Sequence, residues 1–204
     1  MTQPVNAIRK PGALRRLRAD LSGATAVEFT FLAPIFLTML VGIWDIGQMV
    51  YASAVLRGAV EKAARGTTLE SGDTTAADAQ VKNAVNPVLP GVVIITSRLS
   101  YNDFTNIGTP EPMNDSNHNG VCDDSESYTD QNGNGRWDAD VGVSGNGGAN
   151  DVIVYTVNAD YNPIFRIPFA PSSWNTRRLT AVTVRKNQPF AQQSTYSSEA
   201  RTCD

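Results

Sequence analysis

The sequence predicts an α+β fold: a long N-terminal membrane-spanning helix, then a small antiparallel sheet domain carrying a calcium-loop insertion. Three observations predict it. An apolar run from Ala24 to Trp44 is broken by one charge, Glu28. Three later segments, 92–101, 152–161 and 179–185, are rich in β-branched and aromatic residues, and an Asp, Asn and Gly pattern repeats between the first two. The expected divisions are a basic leader over 1–23, a transmembrane and amphipathic helix over 24–66, and an exported domain over 67–190. The insertion lies at 111–150 and a polar tail at 191–204.

The apolar run is 21 residues long, and at 1.5 Å per residue it reaches about 30 Å, one hydrocarbon thickness. Arg9, Lys10, Arg15, Arg16 and Arg18 precede it against Asp20 alone, whereas Asp45 follows it and Arg57 is the only base before Lys62. The positive-inside rule then places the N-terminus in the cytoplasm and exports the rest. A secretory signal would have a shorter apolar core and a small-residue cleavage site. A plain signal anchor explains the length and charges but leaves Glu28 without a purpose. A prepilin-type leader, cut after Gly23 so that Ala24 becomes the N-terminus and Glu28 the fifth mature residue, uses every feature. The new α-ammonium would lie one helical turn from Glu28, and a nearby positive charge offsets the cost of a carboxylate in a low-dielectric setting. Between subunits, the amine of one copy meeting the glutamate of another would set an axial register.

Gly23, Ala26-Val27-Glu28-Phe29, Pro34, Gly42-Ile43, Asp45-Ile46-Gly47, Tyr51, Ala59 and Ala63-Ala64-Arg65 together resemble the pattern of TadE-like proteins, minor pseudopilins of the tight-adherence (Tad/Flp) pilus machinery. The resemblance covers about residues 20 to 66. It implies cleavage by a membrane aspartyl prepilin peptidase, residence in the inner membrane, contact with other pilins or pseudopilins and pilus assembly proteins, and a role in pilus biogenesis. The larger TadG relatives carry an added adhesion-type domain, for which 204 residues leave little room, so TadE is the nearer expectation.

Past the membrane, Ile46, Met49, Val50, Leu56, Val60 and Ala64 fall near helical spacing, with Gln48, Arg57, Glu61, Lys62 and Arg65 on a polar face and Gly66 as a stop. The expected element is one pilin-like helix of about forty residues, kinked or unwound at Pro34. A shorter helix is expected over 75–89, with Ala77, Val81, Ala84, Val85 and Val88 on one face before Pro90-Gly91. In the strands, alternation is clearest at Ile153, Tyr155, Val157 and Ala159. A small sheet laid on the exported half of the helix would cover both apolar faces.

The insertion repeats at a spacing of 15: Asp115, Asn117, Asn119, Gly120 and Asp123 recur as Asp130, Asn132, Asn134, Gly135 and Asp138. Oxygens at positions 1, 3, 5 and 9 with glycine at 6 follow the calcium-loop template. In the first copy Val121 offers a carbonyl at position 7 and Glu126 a carboxylate at position 12. In the second, Arg136 stands at 7 and Val141 at 12, so Asp140 is the nearest closing acid. The pair resembles the tandem Asp/Asn/Gly calcium loops of extracellular proteins. Seven acids against one arginine between Asp115 and Asp140 would repel one another without a cation, and oxygen donors favour calcium over magnesium or zinc. The competing expectation is a solvated acidic loop. Gly142, Gly145, Gly147 and Gly148 read as a flexible connector.

Cys122 and Cys203, the only thiols, would both lie in an oxidising compartment, periplasmic or extracellular, where pairing is open to them. Removing the leader takes away five bases and one acid and leaves 12 bases against 19 acids, a mature charge of −7, which argues against a nucleic-acid partner. No enzyme is expected. The one histidine, His118, sits within the first loop; there is no Walker-type phosphate loop and no Cys/His zinc spacing. Two functions stay open: a structural pilus-assembly protein, or a signal-anchored, calcium-dependent adhesion or ligand-binding protein.

Overall fold

The computed structural model describes residues 23–68, 73–164, 171, 175–189, 196 and 198–203. The expected leader, apart from Gly23, lies outside the described residues, as does most of the stretch from 190 to 197 in the expected tail. The chain divides into two units, residues 1–46 and 47–204.

Helix α1 spans Ala24–Thr67, 44 residues, and begins in the first unit. Its N-terminal part is long and apolar enough to cross a membrane. There Phe29, Phe31, Leu32, Ile35, Phe36 and Met39 are all exposed, Phe31 at 75%. An apolar surface of that kind is at ease only in lipid or against other apolar helices. Thr30 and Thr38 return their hydroxyls to the carbonyls of Ala26 and Pro34, both at 2.7 Å, the usual way a hydroxyl is satisfied in an apolar helix. The helix runs continuously through Pro34, so of the expected kink or unwinding the unwinding does not occur.

In the second unit, α1 contributes a buried stripe of Ala52, Leu56, Ala59, Val60, Ala63 and Ala64. Leu56, Val60 and Ala64 hold the expected face; Ile46 and Val50 do not, being about 60% exposed. Alanines mark the seam because small side chains let a helix approach a sheet closely, and they register weakly in a hydrophobicity pattern. Helix α2, Thr74–Val85, opens on Asp73, whose Oδ1 accepts the amides of Thr75 and Ala76 at 2.8 and 3.0 Å. It ends earlier than expected. Ala77, Val81 and Val85 are buried, Ala84 is exposed, and turns carry Leu89 into the core.

The sheet contains β1 (Val93–Tyr101), β3 (Val143–Ser144), β4 (Val152–Tyr161) and β5 (Arg177–Lys186), antiparallel in the order β3-β1-β4-β5. β1 pairs β4 from Val93↔Asp160 to Tyr101↔Val152, and β4 pairs β5 from Val152↔Lys186 to Tyr161↔Arg177. The alternation expected in β4 holds: Ile153, Tyr155, Val157 and Ala159 are buried. Tyr155, Val157, Ala159, Tyr161 and Ala181 form one core with the α1 stripe and the buried face of α2.

A polar cluster fixes α2 to the sheet. Asp78 accepts from Arg98 at 2.5 and 3.1 Å, Thr96 at 2.9 Å and the Tyr155 hydroxyl at 2.6 Å, while the Arg98 guanidinium lies 4.0 Å from the Tyr155 ring centre. Residues 102–151 connect neighbouring strands β1 and β4 and return to the sheet only at β3, which pairs with the end of β1 at Leu99 and Ser100, so the double loop stands at that end of the sheet. Two glycines of the expected connector, Gly142 and Gly147, are closely packed, whereas Gly145 has open space around it. A Cβ on Gly142 would lie 2.7 Å from the Tyr101 ring, and one on Gly147 (φ +57) 2.6 Å from Asp151 Oδ2.

Candidate functional site

The two repeats fold into loops with nearly the same bonds. In the first, the Asp115 carboxylate accepts the amides of Asn119 and Gly120 at 3.2 and 2.8 Å, Asn117 Oδ1 accepts Asn119 N at 3.0 Å, and Asn119 Oδ1 accepts Val121 N at 2.8 Å. Both asparagine amides donate to Asp123 Oδ2 at 2.7 Å. In the second, Asp130 accepts Gly133 N and Gly135 N at 2.7 and 2.9 Å, and Asn132 and Asn134 accept the amides of Asn134 and Arg136 at 3.0 and 2.8 Å. Their amides donate to Asp138 Oδ2 at 2.7 and 2.5 Å. Positions 4 and 6 take positive φ in both copies, through His118 and Gly120, then Gly133 and Gly135, which is why glycine recurs at position 6. The N–H bonds, that from Gly120 foremost, hold the Asp115 carboxyl below the usual carboxylate range.

The closing acids divide differently from expectation. Glu126 Oε1 accepts Ser116 N at 2.8 Å and its Oε2 accepts Asp123 N at 3.1 Å, which ties loop positions 2 and 9 together. Asp140 does not do this for the second loop. Val141 is buried beside Tyr101 and Val152, and this anchoring turns Asp140 toward the Tyr101 hydroxyl, 3.0 Å away, and Gly142 N, also 3.0 Å. Burial first, then the Asp140 carboxylate, pushes the Tyr101 phenol up to about 12. Glu111, which lies upstream of both loops, bonds the second one instead: Oε1 accepts Gln131 N at 2.7 Å and Oε2 accepts Asp138 N at 3.2 Å. The Trp137 indole donates to the Glu111 carbonyl at 3.0 Å. The signal for Glu111 was available, since it precedes Glu126 by the same 15 residues.

Between the loops, β2 (Ser127–Asp130) pairs antiparallel with β6 (Glu199–Thr202), and Met113 bridges to Tyr128. The expected polar tail therefore contains a strand. Cys122 and Cys203 are joined as a disulfide, Cα atoms 5.7 Å apart and 81 positions separated in sequence. Arg201 Nε lies 2.9 Å from Asp130, which is fully buried. Among the described residues no three His, Cys, Asp or Glu side chains are gathered as a preformed metal cluster. Each loop offers oxygens from aspartate, asparagine and glutamate, a donor set suited to a hard cation.

At the other end of the chain, α1 starts directly at the expected processing junction. The Gly23 carbonyl accepts Val27 N at 3.1 Å, the first turn of the helix, and Ala24 is its first residue. Glu28 is exposed, the only ionisable residue from Ala24 to Trp44. Residues 23–65 match the family model described as TadE-like protein. The N-terminal helix is TadE-like.

Nothing among curated proteins or solved structures matches the chain. The TadE-like segment makes this part of the chain similar to TadE-like proteins. It ends before α2 begins, so the sheet and the double loop lie outside the matched residues and are interpreted from their own chemistry.

Proposed function

We propose that the chain is a minor pseudopilin, a structural and assembly component of a Tad-type pilus. A prepilin peptidase cuts it after Gly23, it sits once across the inner membrane with its C-terminal domain outside, and it packs through α1 against other pilins or pseudopilins. The observation that carries this reading is the coincidence at one junction of Gly23, a helix that starts at Ala24, and Glu28 alone among exposed apolar side chains. An acid in lipid is expensive unless it is paired, and the amine released at Ala24, on the same or a neighbouring copy, supplies the pair. Glu28→Ala should leave the protein in the alkali-resistant membrane fraction yet abolish pili counted by electron microscopy. Wild-type piliation in that variant would defeat the assembly role.

The double loop binds calcium outside the cell in this reading, through Asp115, Asn117, Asn119, Asp123 and Glu126 with the Val121 carbonyl, and through the equivalent groups from Asp130 to Asp138 with the Arg136 carbonyl. Calorimetry on the full chain in detergent should show saturable heat with affinity on the order of 10⁻⁴ to 10⁻³ M, accompanied by a change in Trp137 fluorescence. Absence of both would leave an acidic loop held by its own hydrogen bonds. The double loop, lying beyond the matched segment, also favours a second reading, a tethered calcium-dependent adhesion or ligand-binding protein; a retained leader would select it.

A further inference from the structure

We propose that Glu111 is the closing carboxylate of the second loop as Glu126 is of the first, so that each loop is completed by the acid that leads the other repeat. The proposal rests on the calcium reading and gives the second site the ligand its own position 12, Val141, cannot supply.

Three observations carry it. Glu111 and Glu126 stand at the same place in the 15-residue repeat, four positions before Asp115 and Asp130. Each reaches the same pair of amides in the opposite loop: positions 2 and 9 are Ser116 and Asp123 for Glu126, and Gln131 and Asp138 for Glu111. The chain supports this exchange symmetrically. Met113 pairs with Tyr128, Asn114 N donates to Ser127 O at 2.7 Å and Thr129 N to Pro112 O at 2.9 Å, which brings the leading segment of each repeat beside the other. Burial is independent of the loop pattern. Glu111 is 1% exposed and Glu126 6%, and among the described residues neither forms an ion pair with a basic side chain. In the second loop the Arg201 guanidinium pairs with Asp130, not with Glu111, and the charge of a carboxylate so buried is costly without a cation beside it. A divalent cation in the loop would neutralise it, and the glutamate carboxylate is the group such loops use for closure.

The exchange makes the two sites separable by single substitutions in unexpected places. Calcium alone is titrated by calorimetry into the chelator-stripped full chain in detergent, with Trp137 emission followed in parallel. Wild type should show two sites. Glu111→Gln should weaken one of them by at least about tenfold and remove the Trp137 response; the surviving first site serves as evidence that the variant is folded. Glu111→Asp, which keeps the charge but shortens the reach, should weaken the same site. Glu126→Gln should weaken the other site and spare the Trp137 response, and Asp140→Asn should keep both. Two unchanged sites in Glu111→Gln, or loss of the Trp137-reported site in Asp140→Asn, would overturn the exchange while leaving calcium binding in place. A wild type that takes up no calcium would overturn the calcium reading and the ligand role of both glutamates with it.

Discussion

Cys203→Ser, or reduction by a dithiol, should lower the unfolding free energy of the C-terminal unit by about 4 kcal/mol, the chain-entropy value for a loop of this size. The bridge spans 81 positions, so it removes much freedom from the unfolded chain. All four residues of β6 are exposed, its ladder is only four residues long, and two-stranded ribbons of that length are marginal in water. Arg201, paired with Asp130, and Cys203 N, bonded to the Glu126 carbonyl at 2.9 Å, add to it. Denaturant unfolding of the full chain in detergent, with and without reductant, gives the difference. A change below about 1 kcal/mol would mean that the tail strand is held by something other than the bridge.

Asp78→Ala should cost about 3 kcal/mol, the low end for breaking a buried pair because Asp78 keeps part of its side chain in solvent. The substitution strands the Arg98 guanidinium, whose side chain is 9% exposed, and removes the acceptor of Tyr155 and Thr96. Asp78→Asn, which leaves a carbonyl acceptor but no charge, should lose less. The pH dependence has a definite sign. Burial raises the Asp78 carboxyl, but hydrogen bonds from Arg98, Tyr155 and Thr96 outweigh it and hold the carboxyl below its ordinary value. Its stabilisation is therefore complete above the unfolded value of about 4 and is lost as pH falls through the lower folded value. Wild type should accordingly lose stability in acid below about pH 4 more steeply than Asp78→Asn.

Much of this architecture was legible because the signals are local. Length and apolarity define the start of α1, Pro90-Gly91 closes the turns after α2, and the alternation from Ile153 to Ala159 faces the core as read. The buried side of α1 was harder to phase. Ile46 and Val50 carry the hydrophobicity while Ala52, Ala59 and Ala63 make the close contact, so a pattern weighted by apolarity points partly the wrong way. Pairing between β2 and β6 joins segments about seventy residues apart, each too short and polar to read as a strand. The second loop shows the cost of reading a template in one direction: scanning downstream from Asp130 stops at Asp140, whereas continuing the repeat upstream reaches Glu111. Burial of Val141, a tertiary effect, decides between them.

The central claim is that Glu28 is tolerated in lipid because a terminal amine is released beside it. Intact-mass analysis of the protein purified from membranes of its own cells tests this most directly. The account predicts a chain that starts at Ala24, with Met1 to Gly23 absent; a mass that retains the leader would contradict it.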